Sequence, residues 1–342
     1  MNKYLLLALA LISSISCSKV ETINIKKHSF SEDPNRIVWL QIAGLTEEIL
    51  AIQRFSRPAL ELGGPFEESS CMGKMWNYNL YTLRPDATRG FLSQIFGTKN
   101  IVGNCSDYEN SPMWTSFKNI GFQIGVLESG VKDEDSLLNS WKCNSDKTQI
   151  DKSISLWKMS DSSNKDAKRF HFQEDLPHGD GEVFYDKSCR AGICYASLEN
   201  NAKAIFNKFK NKTVRSMLVV RDFSLQETIL RKDVESLREK LSEIERLYAF
   251  FLSEQAKDPR LLVVVTGSGS RNIELPRSGK QWEQFDKQGK FLLYKRNSLM
   301  SPSFAKGPRA ENFCGIYEES SVFERFLWSP EERKSPLSII GL

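Results

Sequence analysis

Ten residues, His171-Phe172-Gln173-Glu174-Asp175-Leu176-Pro177-His178-Gly179-Asp180, hold two histidines and three carboxylates. Imidazole and carboxylate together suit zinc or a harder divalent cation, so His171, Asp175, His178 and Asp180 are the metal-site candidates. Pro177 and Gly179 place the group in a loop, and a solvated polar loop is the plainer reading. The only other histidine is His28. A second place for chemistry is Arg84 to Gly97 (RPDATRGFLSQIFG), where Thr88 is a candidate nucleophile with Asp86 beside it. A hydroxyl without a base or metal is a poor nucleophile at neutral pH, so Thr88 reads as a helix cap before it reads as a catalytic group. The sequence carries no GxSxG, no P-loop and no dinucleotide fingerprint. Gly267-Ser268-Gly269-Ser270 follows an apolar run but lacks the lysine that phosphate cradling needs.

Cysteine chemistry points to an address. Lys3 followed by the apolar Leu5 to Ile12 reads as a secretory signal over residues 1–16. That run is far shorter than the ~20 residues that span a bilayer. It ends in Ser14-Ile15-Ser16-Cys17-Ser18, which resembles a bacterial lipobox, with Ser14 where leucine is favoured. Cys17 is therefore the expected site of acylation, palmitate included, and an ordinary cleaved signal is the alternative. Ser18 permits sorting to the outer membrane. The other six cysteines are Cys71, Cys105, Cys143, Cys189, Cys194 and Cys314. An even count in an oxidising compartment predicts up to three disulfides, and six cysteines leave fifteen pairings open. Cys189 and Cys194 are close enough to close a local loop. No CxxC pair supports zinc. The sequons at Asn104 and Asn211 carry no weight in a bacterial host.

The elements that must position these groups alternate. Residues 17–35 are polar and read as a tether. Ile37 to Ala43 is a buried strand, and Thr46-Glu47-Glu48 opens a helix through about Phe55. Ser111-Pro112 opens a second helix that stops at Gly121, before a strand from Phe122 to Leu127. A third unit runs from the helix Asn200–Phe209 into a strand from Met217. Val234, Leu237, Leu241, Ile244, Leu247 and Phe251 then mark one long helix from Leu230 to about Gln255, docked on a sheet. Leu261 to Thr266 is a last apolar strand. Continuous apolar strands between helices predict an α/β fold, a mainly parallel sheet covered on both faces. Residues 131–190 are polar and read as an insertion beside it. An apolar content of 40% and aromatic content of 11% supply a core. A net charge of +4, without a basic stripe, excludes nucleic acid as a partner.

In this order the elements resemble the alkaline phosphatase-like superfamily of phosphatases, sulfatases and phosphoethanolamine transferases. Four segments carry the resemblance: Ile37 to Leu45 as the first strand, Arg84 to Gly97 as the nucleophile segment, Met113 to Gly125 as the next helix and strand, and Ala202 to Thr266 as the later units. Phe313 to Trp328 matches a late helix. The resemblance implies an alkaline phosphatase-like sandwich over residues 36–342. It also implies metal ions, held by aspartates and histidines, that activate a hydroxyl or formylglycine. Those stations lack donors here. The first-strand aspartate is Ala43, residues 266–270 contain no carboxylate or imidazole, and no histidine follows His178.

The resulting expectation is a lipid-anchored, extracytoplasmic envelope protein whose domain has lost metal-dependent catalysis and needs no cofactor. Its role would be binding or scaffolding, toward an envelope protein or an anionic or glycan ligand, with the membrane reached through the N-terminal lipid. One alternative is an active phospho- or sulfo-ester hydrolase or transferase, with a divalent metal, in which Asp86, Thr88 and the 171–180 cluster converge. Another is an envelope lipoprotein of unrelated α/β fold acting in assembly. Strand ends at Ala43 and Thr266 that lie side by side favour the superfamily. Mass spectrometry of the mature N-terminus is expected to find an acylated Cys17; an unmodified peptide beginning elsewhere would refute the anchor.

Overall fold

The computed structural model describes residues 32–56, 63–143, 153–288 and 292–328. The signal segment, Cys17, His28 and most of the tether lie outside them. Strand β1 (Arg36–Ala43) is the centre of the fold. Its neighbours are β9 (Ser216–Asp222) and β10 (Leu261–Ser268), both parallel to it. The remaining strands of the main sheet are β2 (Cys71–Trp76), β3 (Gln123–Ser129), β4 (Ser155–Met159), β5 (Arg169–Phe170), β6 (Glu182–Asp186), β13 (Met300–Lys306) and β14 (Gly315–Glu318). They form one ten-stranded sheet in the order β14-β2-β13-β10-β1-β9-β3-β4-β6-β5. Only β13 runs against the others. Ala43 stands beside Ser268, so the C-terminal ends of β1 and β10 are adjacent as the resemblance requires.

Alternation along β1 explains the layers. Val38, Leu40 and Ile42 face one core with Leu218, Val220, Val263 and Val265. Ile37 and Trp39 face another with Val219, Leu262 and Val264. On the first face pack α1 (Glu47–Ser56), α5 (Leu198–Lys212), α6 (Ser224–Arg231) and α7 (Val234–Lys257). On the second pack α2 (Ala87–Phe96), α3 (Met113–Asn119) and the C-terminal α9 (Val322–Leu327). Both faces are buried, which is why the strands read as apolar runs rather than as alternating ones. The short α4 (Asn139–Lys142) and α8 (Gly279–Gln288) lie in connections. Among the described residues no helix is long and apolar enough to cross a membrane.

Three readings change. The single long helix is two: Lys232 adopts φ +59°, and Asp233 accepts from the Glu235 and Ser236 N–H groups at 3.1 and 3.2 Å to start α7. The apolar stripe from Val234 to Phe251 lies wholly in α7, while Leu230 is 46% exposed on α6. Helix α3 begins after Pro112 rather than at Ser111, and Gly121, at φ +87°, ends the turn that follows it. The polar stretch 131–190 does not sit beside the sheet. Where described, it supplies β4, β5 and β6, the sheet's far edge, because Leu156, Trp157 and Phe184 bury there despite polar flanks.

All six remaining cysteines pair, as Cys71–Cys314, Cys105–Cys143 and Cys189–Cys194, with Cα separations of 5.2, 5.5 and 3.9 Å. The last closes the two-stranded turn of β7 (Cys189–Arg190) and β8 (Ile193–Cys194). Replacing Asp233 by alanine removes the side chain that caps α7. A loss of about 1 kcal/mol is expected in denaturant unfolding, with the m-value unchanged.

Candidate functional site

The C-terminal ends of β1, β9 and β10 meet the N-terminus of α2. Asp86 caps that helix by accepting from the Arg89 N–H at 2.9 Å, so the cap expected at Thr88 is Asp86 instead. Ala43, Ala87, Phe91 and Phe223 pack together here in a small apolar cluster. Two glycines permit the close approach. A Cβ on Gly90 would lie 1.9 Å from Ser268 Oγ, and one on Gly269 would lie 2.2 Å from the Ala87 nitrogen. Ser270 Oγ donates to the Leu45 carbonyl at 2.7 Å and ties the turn after β10 to the turn after β1.

Beneath the cluster runs a buried polar chain. Trp39 Nε1 donates to Thr266 Oγ1 at 2.9 Å, Thr266 Oγ1 donates to Gln94 Oε1 at 2.8 Å, and Gln94 Nε2 donates to Glu319 Oε1 at 2.8 Å. Burial pushes the Glu319 carboxyl up to about 7, and the charge of Asp86 adds to this, while Ser268 and Gln94 pull it back. Of those two, the Gln94 amide makes the well-formed hydrogen bond. Ser268 Oγ is buried without a partner of good geometry among the described residues.

At the neighbouring strand ends the charges are fixed in pairs. Arg221 of β9 and Glu128 of β3 form a salt bridge with both side chains fully buried. Glu128 also accepts from the Ser136 hydroxyl and from the Leu137 N–H at 2.9 Å. Arg221 Nη2 reaches the Asp135 carbonyl at 3.4 Å, and the Asp135 carboxylate accepts from Thr88 Oγ1. Lys158, at the end of β4, is buried with its ammonium 3.4 Å from Asp133. Asp222 is buried beside Arg221; its Oδ1 accepts from Ser224 Oγ at 2.7 Å, its Oδ2 has no partner among the described residues, and burial pushes its carboxyl up.

These residues do not fit the metal ions that the resemblance implies. Zinc and harder cations need imidazole, thiolate or several oxygen ligands. Ala43 and Ala87 offer none, and Phe91 and Phe223 close over them. The permanent charge of Arg221, one strand from Ala43, opposes a further cation. Among the described residues no group of three or more His, Cys, Asp or Glu side chains converges.

The 171–180 loop is divided among lysines rather than gathered on a cation. Asp175 pairs with Lys208 and Lys212, Asp180 with Lys118, and Glu174 with Lys187. His171 Nδ1 accepts from the Gln173 N–H at 3.3 Å. His178 packs between Trp157 and Phe209, and burial lowers its pKa. Gly179 and Gly181 donate to Ser155 and Ile154 at the start of β4, the N-terminal edge of the strands. Thr88 stands at the opposite edge from His178 and Asp180, while His171 follows β5 at the far end of the sheet, and among the described residues the structure gathers no cluster of Asp86, Thr88 and this loop. Sequence reasoning missed Glu128, Asp135, Arg221 and Glu319. Two of them carried a signal: Arg221 in MLVVRD and Glu128 in IGVLES are charges ending otherwise apolar strands.

Because the folded state holds the Glu319 proton to about 7, it binds more protons than the unfolded chain above the ordinary carboxylate range. Stability is therefore expected to fall as pH rises from about 4.5 to 7, by up to about 3 kcal/mol from this group. Asp222 acts in the same direction. Glu319→Gln should flatten that slope and raise the melting temperature at pH 8; an unchanged slope would refute the assignment.

No family model and no curated protein sequence matches the chain. Solved structures do. Alkaline phosphatase from the Antarctic bacterium TAB5 superposes with a TM-score of 0.65 at 12% identity, covering 89% of this chain and 100% of that one. The Thermus thermophilus alkaline phosphatase gives 0.66 at 10% identity over 93% and 96% of the two chains. A cold-active alkaline phosphatase from Shewanella sp. gives 0.65 at 9% identity over 86% and 98%. With the strand ends of β1 and β10 side by side and helices on both faces of a sheet broken by one reversed strand, the chain has the alkaline phosphatase-like fold.

Proposed function

We propose that this protein is a lipid-anchored component of the bacterial cell envelope, facing the periplasm or the surface from the outer membrane, whose alkaline phosphatase-like domain binds a ligand or partner without turning it over. One observation carries the reading: the strand ends are filled by Ala43, Ala87, Phe91 and Phe223 beside the fixed charge of Arg221. Three disulfides support an oxidising compartment. Cys17 and its lipobox-like context support the anchor.

A second reading, hydrolysis at a rearranged site, has one observation in its favour. Thr88, whose hydroxyl donates to the Asp135 carboxylate, lines a cavity of about 240 Å³. A single assay separates the two. Purified protein, with and without added zinc and magnesium, is expected to release no p-nitrophenol from its phosphate or sulfate ester above the rate of Thr88→Val. Turnover lost in Thr88→Val, or stoichiometric tightly held zinc by elemental analysis, would overturn the binding reading.

A further inference from the structure

The N-terminal edge of the parallel strands carries a pair of apolar side chains that the described residues leave open. Val214, in the turn between α5 and β9, is 76% exposed, and Ile120, in the turn between α3 and β3, is 54% exposed. The two turns are neighbours, because β3 and β9 pair from Gln123 and Ser216 onward and the Gln123 N–H donates to the Arg215 carbonyl at 3.1 Å. Arg215 Nη1 donates to the Ile120 carbonyl at 2.7 Å and locks them together. A Cβ on Gly121, next in the chain, would meet nothing within 4 Å among the described residues. Single exposed apolar side chains are ordinary on a surface; two fixed on adjacent turns make a small platform.

Positive charge surrounds the platform. Glu254 is shared by Lys210 and Lys257, and Asp175 by Lys208 and Lys212, so each pair of lysines leaves one charge over. Arg215 pairs with no carboxylate among the described residues and adds another. Carboxylates nearby are matched one to one: Asp258 with Arg36, Asp180 with Lys118, and Glu32 and Asp33 with Arg260 and Arg309. An apolar tip ringed by uncompensated cations complements an anionic lipid surface, where apolar area and charge attraction add. Each Lys or Arg near such a surface strengthens attachment about fivefold, and the effect fades beyond a Debye length of about 10 Å.

We infer that this edge rests on an anionic lipid bilayer, with Val214 and Ile120 among the headgroups and Lys212 and Arg215 against lipid phosphates. The inference rests on the anchoring proposed above and adds the orientation of the domain. The entry of the chain singles out a membrane as the partner. The Ser216 N–H donates to the Asn35 carbonyl at 3.1 Å, so the first described residues enter beside Val214. Fourteen residues, 18–31, separate Cys17 from Glu32, and even fully extended they reach at most about 50 Å. The eight residues of β1 set the strand-end face about 26 Å farther off, and that face carries the hairpin of β11 (Arg271–Glu274) and β12 (Leu292–Asn297) and the exposed Leu83. A lipid on Cys17 holds the near edge at high effective concentration beside the bilayer. A contact too weak to recruit the domain by itself then suffices to orient it.

Fluorescence quenching in vesicles tests this. The full-length protein with its native N-terminus is reconstituted at low ionic strength into phosphatidylcholine–phosphatidylglycerol vesicles whose acyl chains are brominated close to the headgroup. Flotation of the vesicles reports the anchor separately. Val214→Trp is expected to add tryptophan emission, relative to wild type, that the brominated lipid removes. The emission added by Leu83→Trp, on the strand-end face, should survive. Combining Lys212→Gln and Arg215→Gln with Val214→Trp should weaken the contact about 25-fold and restore the emission. Phosphatidylcholine alone should restore it too. Flotation without quenching at position 214, equal quenching of Leu83→Trp, or quenching indifferent to lipid charge would overturn the orientation while leaving the anchor intact. A chain that does not float would sink the anchoring reading and this inference with it.

Discussion

A buried guanidinium must be neutralised, and the strand-end face is organised around that requirement. Arg221 is fully inside the protein and cannot shed its proton, so leaving it unpaired would cost several kcal/mol. Glu128 of β3 meets it. Glu128 is in turn held by the Ser136 hydroxyl and the Leu137 N–H, which fixes the loop after β3. The same loop sends Asp135 to Thr88 at the start of α2 and Asp133 to Lys158 at the end of β4. One ion pair thereby orders a loop, the first turn of a helix and two strand ends. Removing one partner of such a pair typically costs about 3–5 kcal/mol, because the survivor stays buried and uncompensated.

On the other side of α2 the fold carries a different constraint. The chain Trp39, Thr266, Gln94 and Glu319 is a polar thread through a face that is otherwise apolar. Gly90 lets α2 come near enough for Glu319 and Ser268 to face it. The result is a carboxyl without a cationic partner among the described residues, satisfied by an amide and pushed up to about 7 by burial. The two sides of α2 thus solve the same problem in opposite ways, by charge pairing around Arg221 and by protonation around Glu319.

Geometry also separates the entry of the described chain from the strand-end face. The described chain enters at Glu32 and Asp33, which pair with Arg260 and Arg309. Arg260 directly precedes β10, so entry is at the N-terminal edge of the parallel strands. The cavity lined by Arg84 and Arg296 opens at the C-terminal edge, opposite that entry.

Much of the scaffold was legible in the chain itself. The runs at Ile37–Ala43 and Leu261–Thr266, the cap at Thr46, whose hydroxyl accepts from the Ile49 N–H at 3.1 Å, and the even cysteine count depend on neighbours near in sequence or on composition. Periodicity reports burial but not continuity, so the break at Lys232 between α6 and α7 went unseen, as did the strands within 131–190. The missing donors at Ala43 and after Thr266 were equally plain, since a residue type is visible without coordinates. Pairings across the fold were not. Arg221 meets Glu128 from 93 residues away and Gln94 meets Glu319 from 225. The His171–Asp180 cluster shows the converse: ten adjacent residues with ligand chemistry are drawn apart by lysines from other elements. Side-chain type and local pattern are set by the sequence alone. Which charges share a cavity is decided only when the sheet brings its strand ends together, because electrostatic pairing depends on distance in space.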